Sequence, residues 1–176
     1  MVSVIIIQYK NYELTKEAIK TFQKFHKEDI EIFLVDNGSG GFSEKEFLDE
    51  FPELVIIPLK SNLGFSKANN YAASLSRGEW LFFLNNDVVI TEEILSPIQS
   101  KFVSDDEIGL IGIKLLNQDC SYQLSHGKFP SFFRELIDKI IYSSFDKDKS
   151  VLKKYLITKY SESQDTEWVT GAALFI

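Results

Sequence analysis

Cysteine is almost absent from this sequence, since Cys120 is the only one among 176 residues. A disulfide framework within the chain and a thiol-rich metal site are therefore excluded. Histidine is nearly as rare: His26 and His126 lack ligand partners at zinc spacing, and we expect His26 to be exposed at the end of a helix. Cys120 is predicted to be structural rather than nucleophilic because no base accompanies it.

Long apolar runs are also missing. No stretch approaches the roughly 18 to 20 apolar residues of a membrane-spanning helix, so no membrane span is predicted. The apolar N-terminus has no basic leader and is too short for a secretory signal; it is typical of a buried strand. The expected location is the cytoplasm. Peripheral contact with the inner face of the membrane is a further possibility that the sequence leaves open. A GxGxxG fingerprint and a Walker A loop are absent too, which disfavours dinucleotide and P-loop sites.

The chain is acidic and rich in apolar residues. Its 26 Asp and Glu outnumber 19 Lys and Arg, giving a net charge of −7, while 44% of residues are hydrophobic and 14% aromatic. That apolar content excludes a disordered chain. The length fits one domain, or slightly less than the whole of a larger domain. The acidic charge balance argues against nucleic acid as a partner but allows a small anionic ligand that arrives with a cation.

Strand and helix patterns alternate along the first 113 residues. Predicted strands are 2–8, 30–35, 54–57, 80–84 and 108–113. Predicted helices follow Asn11 (with Leu14, Ala18, Phe22 and Phe25 on one face), Ser43, Gly64 (with Phe65, Ala68, Ala72 and Leu75 on one face) and Glu93. Pro97 is a candidate break or restart of the last of these helices. An amphipathic helix over 132–142, a lysine-rich segment over 147–160 and a strand over 168–176 follow. The alternation predicts an α/β sandwich with a mainly parallel sheet.

Short polar residues follow the ends of the predicted strands. Tyr9 and Asn11 follow the first strand, and further groups follow the second, third and fourth (Asp36, Asn37, Gly38 and Ser39; Asn62 and Gly64; Asn85, Asn86 and Asp87). Ligands of open parallel sheets bind beyond the carboxyl ends of the strands. The sequence therefore predicts a binding site at this edge.

Each of these groups has two interpretations. Asp36 either binds a base edge or ribose hydroxyl, or only closes an Asx-turn. Tyr9 either stacks on a nucleobase or packs at the edge of the core. Asp87, with Asn85, either holds a hard cation such as Mg²⁺ or Mn²⁺ whose shell a diphosphate completes, or belongs to a capped turn. Lys67 either meets an anion at a helix N-terminus or faces solvent.

Four blocks together resemble the family 2 glycosyltransferases. They are residues 2–11 (VSVIIIQYKN), 33–39 (FLVDNGS), 62–70 (NLGFSKANN) and 84–88 (LNNDV), and the subgroup they are most similar to is the rhamnosyltransferase-like enzymes. Residues 168–173 (WVTGAA) resemble a later segment of that family beneath the sugar and acceptor.

The resemblance implies a GT-A fold, a nucleotide-diphosphate sugar donor (dTDP- or UDP-sugar), a divalent cation, and transfer with inversion to a saccharide or lipid-linked acceptor. It implies residues 1–114 as the nucleotide-sugar half and 115–176 as the start of an acceptor-side half. The implied nucleotide-binding residues are Tyr9, Asn11, Asp36, Asn37, Asn62, Gly64, Lys67 and Asn86. The resemblance also places Asn85 and Asp87 at the two ends of the D-x-D motif, with Asp87 as metal ligand. It implies that Trp168 and Gly171 shape the sugar pocket.

The family's general base lies in a Glu-Asp segment downstream of the W-x-x-G-A-A block. We expect the base beyond Ile176 and the chain to be truncated at its C-terminus, because Asp165 and Glu167 do not match that segment. A non-catalytic nucleotide-binding or interaction module of the same fold is the alternative. A receiver-like domain fits poorly, since Gln8 and Asn62 stand where acidic residues would be needed.

Overall fold

The structure is a computed structural model that describes residues 1–129, 158 and 162–176. Its strands are β1 Val2–Gln8, β2 Ile30–Asp36, β3 Leu54–Pro58, β4 Trp80–Asn85, β5 Ile111–Gly112, β6 Leu115–Leu116, β7 Tyr122–Gln123, β8 His126–Gly127, β9 Trp168–Val169 and β10 Ala173–Phe175, and its helices are α1 Tyr12–Phe25, α2 Glu44–Glu50, α3 Phe65–Leu75 and α4 Leu95–Ser104. The predicted helix over 132–142 and almost all of the lysine-rich segment lie outside the described residues.

A six-stranded sheet in the order β3-β2-β1-β4-β10-β5 carries the fold. Strands β1 to β4 run parallel, and β10 pairs with β4 in the antiparallel sense. β1 and β2 are buried along almost their whole length, as expected for parallel strands covered on both faces. The predicted mainly parallel α/β sandwich is confirmed.

Helices cover both faces of this sheet. On one face Ile5, Phe33 and Val35 form a core cluster with Ala68 and Ala72 of α3, whose small side chains let the helix approach closely. On the other face α1 buries Thr15, Ala18, Ile19 and Phe22, and the Phe22 ring lies 6.0 Å from that of Phe82. Full burial of each such aromatic or aliphatic side chain contributes about 1.5–3 kcal/mol.

Three apolar residues of the predicted helix faces are not in the core. Leu14 is 50% exposed, and Phe65 and Leu75 are each 49% exposed. The other buried members of the predicted faces are Ala18, Phe22, Ala68 and Ala72, and the polar side chains of Thr15 and Asn69 are buried beside them. The reason is that both polar groups find partners there: Thr15 Oγ1 bonds Asn11 O at 2.9 Å, and Asn69 Nδ2 donates to Phe65 O at 3.1 Å.

Helix ends agree with the sequence in two cases and differ in one. Ser43 caps α2 by accepting from Glu46 N at 3.3 Å, as the capping box predicted. Asn11 holds the N-cap position of α1, but its side chain makes no capping bond. Of the two alternatives for Pro97, the structure agrees with the restart, because α4 begins at Leu95 and places Pro97 in its first turn, where no backbone N–H is needed.

The later strands are shorter than predicted. The fifth strand spans only Ile111–Gly112, and residues 168–176 form β9 and β10 with a turn between them. Two compact units result: Met1–Ile111 with Gly171–Ile176, and Gly112–Thr170. In the first, the buried Phe175 contacts the rings of Trp80 (5.8 Å) and Phe102 (5.7 Å). The second contains the β6–β7 and β8–β9 ladders. The functional division at residue 114 stays a prediction.

A cluster of polar side chains, formed by Ser3, Glu31 and Arg77, lies at the amino end of the sheet. Glu31 Oε1 accepts from Ser3 Oγ and from the backbone amide of Arg77, both at 2.6 Å, and Oε2 pairs with the Arg77 guanidinium at 3.0 Å. Burial alone would raise the pKa of Glu31, but these hydrogen bonds and the nearby positive charge hold that pKa below its ordinary value of 4.5.

The prediction that His26 is exposed is wrong. Its side chain is buried and stacks on Phe22 with 4.5 Å between ring centroids. Ile94 N donates to Nε2 at 3.0 Å, so Nδ1 carries the hydrogen that faces Phe22 O at 3.0 Å. Nδ1 thus bonds back to α1, and Nε2 joins the end of α1 to the residue that precedes α4.

None of the helices in the described residues combines the length and the hydrophobicity that crossing a bilayer requires.

Candidate functional site

The carboxyl ends of β1 to β4 meet along one edge of the sheet. Gln8 pairs in register with Asp36, Asp36 pairs with Pro58, and Ile7 pairs with Asn85. Because these strands are parallel and adjacent, the loops that follow them share this edge. The groups predicted after the four strands are therefore brought to the same side of the first unit.

Asp36 ends β2 with a side chain that is only 3% exposed. Its Oδ1 accepts from Gln8 Nε2 at 2.8 Å and from the Ser39 hydroxyl at 2.5 Å, and its Oδ2 accepts from the Ser39 backbone N–H at 3.1 Å. The carboxylate thus closes the turn after β2. A carboxylate offers about four acceptor positions, so Oδ2 retains capacity for a further donor.

Gln8 is a site residue that the sequence analysis missed, and Ser39, which belongs to the polar turn after the second strand, had no role of its own there. Gln8 is fully buried at the end of β1, and its Nε2 also donates to Ser39 Oγ at 3.0 Å. Its Oε1 is buried without a hydrogen-bond partner in the described part of the chain. One signal was present: Gln8 is a single long polar residue that ends an otherwise apolar strand beside the predicted site.

The loops after β2 and β3 are joined by two asparagines. Asn37 donates from Nδ2 to Asn62 Oδ1 at 3.2 Å and accepts from Leu63 N at 2.9 Å. Asn62 Oδ1 also accepts from Gly64 N at 2.8 Å. Asn37 is buried while Asn62 is exposed, so the pair runs from the interior to the surface of the site.

Gly38 lets these loops approach closely. It has φ +77°, and a Cβ built on it would lie 2.5 Å from the backbone carbon of Ser61. Only glycine fits this position, because the conformation and the contact both exclude a side chain.

Helix α3 begins at this edge directly after Gly64. Lys67 lies in its first turn, is exposed, and makes no ion pair with any residue that the structure describes. A helix N-terminus carries a partial positive charge, so the start of α3 and Lys67 together favour an anion here.

The turn after β1 presents Tyr9 at the surface. Its ring is 40% exposed, and Lys10 Nζ lies 5.0 Å from the ring centroid. Lys10 has φ +64°, in the left-handed region that ordinary residues avoid, and its N–H donates to Ser39 Oγ at 2.9 Å. Tyr9 is therefore an accessible aromatic side chain; the exposed Asn11 follows it.

The residues after β4 divide into a structural and an accessible part. Asn86 Nδ2 donates to Thr15 Oγ1 at 3.0 Å, which fastens this turn to α1. Asn85 is partly buried and Asp87 is exposed, and the Asp87 carboxylate makes no hydrogen bond or ion pair within residues 1–129, 158 and 162–176.

Those same residues contain no group of three His, Cys, Asp or Glu side chains arranged to hold a metal ion. A cation at this edge would thus depend on one carboxylate. The residues present fit that case, because hard divalent cations often use one or two carboxylates and take phosphate oxygens for the rest.

Trp168 and Gly171 lie in different compact units. Trp168 Nε1 donates to Lys128 O at 3.1 Å, and a Cβ on Gly127 would lie 2.9 Å from its indole. Gly171 lies beside Phe65 of α3, where a Cβ would be 3.5 Å from the ring.

Three further residues considered in the sequence have these surroundings. His126 bonds Tyr122 OH at 2.9 Å, and Glu167 accepts from Phe129 N at 2.6 Å. Cys120 is an exposed free thiol in a turn.

The model of glycosyl transferase family 2 matches residues 3–158. The chain belongs to this family. The assignment confirms the resemblance at family level, and the α/β fold with its mainly parallel sheet is the GT-A fold of family 2.

Known relatives of this family 2 chain include one bacterial protein and two solved structures. It is 29% identical over 118 residues to the minor teichoic acid biosynthesis protein GgaB of Bacillus subtilis, which covers 63% of the chain. Mannosyltransferase PcManGT of Pyrobaculum calidifontis, solved with GDP-Man and Mn²⁺, superposes with a TM-score of 0.57 over 66% of the chain at 18% identity. TarS 1-349 of S. aureus, solved with UDP, gives 0.55 over 65% at 24% identity.

The chain spans only part of these relatives. It covers 13% of the length of GgaB and 35% of each of the PcManGT and TarS chains.

Proposed function

We propose that this domain binds a nucleotide-diphosphate sugar and serves in its transfer, with inversion, to a saccharide or lipid-linked acceptor in the synthesis of a cell-surface polysaccharide. One observation carries the proposal: in a family 2 chain, Asp36, the Asn37–Asn62 pair and the accessible Asp87 carboxylate lie on one edge of the sheet. The edge offers acceptors for a nucleoside, a helix start for phosphates and a carboxylate for a cation.

Three elements would bind the donor. Tyr9 presents a ring for stacking on the base, and Asp36 Oδ2 retains capacity to accept from a base N–H or a ribose hydroxyl. Asn37 and Asn62 shape the neighbouring loop. Gly64 and Lys67 at the start of α3 face the phosphates, while Asn11 and Asn86 border the nucleotide.

Asp87, assisted by Asn85, would hold Mg²⁺ or Mn²⁺. When bound, such a cation neutralises the charge that develops on the leaving diphosphate. It also reconciles an acidic chain, with net charge −7, with an anionic donor.

The rest of the reaction follows from the inverting chemistry that we propose. The acceptor hydroxyl attacks the anomeric carbon as the bond to the nucleoside diphosphate breaks, and a carboxylate takes the hydroxyl proton. We assign no described residue as that base, because neither Asp165 nor Glu167 matches the Glu-Asp segment of the family, and Glu167 already accepts from Phe129 N. The assignment of Trp168 and Gly171 to the sugar pocket stays a prediction.

The relatives support a nucleotide-sugar donor without fixing it. TarS was solved with UDP and PcManGT with GDP-Man and Mn²⁺. The rhamnosyltransferase-like subgroup, the cytoplasmic location and peripheral contact with the membrane remain predictions.

Isothermal titration of the purified chain with UDP, dTDP and GDP, each with Mg²⁺ or Mn²⁺, tests this proposal. We expect at least one nucleoside diphosphate to bind in a metal-dependent way, with UDP or dTDP preferred. The absence of binding for all three would overturn it. Binding by a full-length protein that transfers no sugar would favour the non-catalytic module instead.

A further inference from the structure

We propose that Gln8 and Ser39 are positioning residues for nucleoside recognition, which hold the Asp36 carboxylate and the Tyr9–Lys10 turn in a single arrangement. The inference rests on the proposed function and adds to it two residues that do not themselves touch the ligand. It is carried by the hydrogen bonds beneath the site surface.

Gln8 is a costly residue for its position. It is 0% exposed in a strand whose other buried residues are almost all apolar, and its Oε1 has no hydrogen-bond partner among the described residues. A buried acceptor without a partner destabilises the fold, and an apolar side chain of similar size would remove that penalty. The reason to have glutamine here therefore lies in the hydrogen bonds that its Nε2 donates.

The orientation of this amide is determined by its neighbours. Nε2 lies 2.8 Å from Asp36 Oδ1 and 3.0 Å from Ser39 Oγ, so its two hydrogens reach two acceptors. The opposite orientation would place the amide oxygen against a carboxylate oxygen. Gln8 consequently fixes which oxygen of Asp36 is used inside the protein, and the spare acceptor capacity is left on Oδ2.

Ser39 extends this control to the next loop. Its hydroxyl donates to Asp36 Oδ1 and accepts from Gln8 Nε2 and from Lys10 N at 2.9 Å. A hydroxyl has one donor and two acceptor positions, so its capacity is fully used. The bond to Lys10 N holds a residue at φ +64° and, with it, the exposed ring of the preceding Tyr9.

Replacing Gln8 by leucine separates positioning from general stability. In titrations with Mn²⁺ present, we expect Gln8→Leu to bind UDP at least about tenfold more weakly, the factor for one lost charge-assisted hydrogen bond. Inorganic pyrophosphate with Mn²⁺ should bind with unchanged affinity, because it meets the phosphate side alone. Equal losses for UDP and pyrophosphate, or no loss for either, would overturn the inference.

Ser3→Ala is the matched control. Ser3 is also a buried polar residue of β1, but it bonds Glu31 at the opposite end of the strand. We expect this variant to unfold more easily and to bind UDP like the wild type. A Ser3→Ala chain that loses UDP affinity as strongly as Gln8→Leu would show that any buried defect in β1 suffices, against a specific role for Gln8.

The Gln8→Glu variant adds a second measurement, the pH dependence of UDP affinity, which a purely structural role of Gln8 would leave unchanged. Two adjacent carboxylates repel when both are ionised, but one shared proton restores a donor to Asp36. The deficit in UDP affinity relative to wild type should therefore shrink as pH falls from about 8 to about 5.5. A deficit independent of pH would contradict the positioning role of Gln8, and this variant provides the test if Gln8→Leu does not fold.

The result for wild type separates this inference from the proposed function. If wild type binds neither UDP nor pyrophosphate, the proposed function itself fails, and the inference fails with it.

Discussion

Asn37 donates its side-chain amide to the side-chain oxygen of Asn62 at 3.2 Å, and this bond fastens the loop after β2 to the loop after β3. The same Asn37 side chain accepts from Leu63 N at 2.9 Å. One buried residue thus organises the loop that leads into α3, the helix whose start faces the proposed phosphate position.

Replacing Asn37 by alanine should therefore affect stability and binding together. We expect the free energy of unfolding to fall by about 1–3 kcal/mol, because a buried hydrogen-bonding side chain and its partners are lost. UDP affinity should fall as well. Urea denaturation and calorimetry measure the two effects, with Asn70→Ala as control, since Asn70 is an exposed asparagine of α3. Asn37→Ala behaving like Asn70→Ala would refute this role.

Gly38 and Gly40 form a matched pair for testing the close approach of the loops. Both have positive φ, +77° and +66°, but a Cβ on Gly38 would meet the Ser61 backbone at 2.5 Å, whereas nothing lies within 4 Å of one on Gly40. Gly40→Ala should cost about 1–2 kcal/mol for the left-handed conformation alone. Gly38→Ala should cost about 3 kcal/mol or more, because backbone must also move. Equal melting temperatures for the two variants would disprove the contact.

The lowered pKa of Glu31 predicts how the stability of the fold changes in acid. Its pKa is lowered in the folded state by Ser3 and Arg77, against the opposing effect of burial, so folding favours the ionised form. The resulting stability is present above the ordinary carboxyl pKa of 4.5 and is lost as pH falls through the lower, folded-state pKa. Denaturation between pH 7 and pH 3 should show a steeper loss of stability below about pH 4.5 in wild type than in Glu31→Gln. Parallel curves would contradict this account.

Local patterns in the sequence predicted most of the first unit. The apolar runs of β1 and β2 indicate strands covered on both faces, and the capping box at Ser43 involves residues only three positions apart. The shared edge of the candidate site followed from topology, since polar residues after parallel strands reach one edge whatever their rotamers. These features depend on short spacings that a sequence displays directly.

Contacts between distant residues were not predictable in this way. Gln8 meets Asp36 and Ser39 across 28 and 31 positions, and nothing near Gln8 in the sequence indicates either partner. The burial of His26 depends on Ile94, 68 positions later. The burial of Thr15 also involves a distant partner, because its Oγ1 accepts from Asn86, 71 positions later.

The central claim is that a nucleoside diphosphate and a cation bind together at the edge containing Asp87. The most direct test is calorimetric titration of UDP, with and without Mn²⁺, into wild type, Asp87→Asn and Asp106→Asn, the last being an exposed aspartate on the loop after α4. We expect Mn²⁺ to raise UDP affinity at least about tenfold in wild type and Asp106→Asn, the scale of one good charge interaction, and Asp87→Asn to lose most of that gain while its melting temperature is unchanged. The same Mn²⁺ effect in all three chains, or no UDP binding by wild type, would contradict the account.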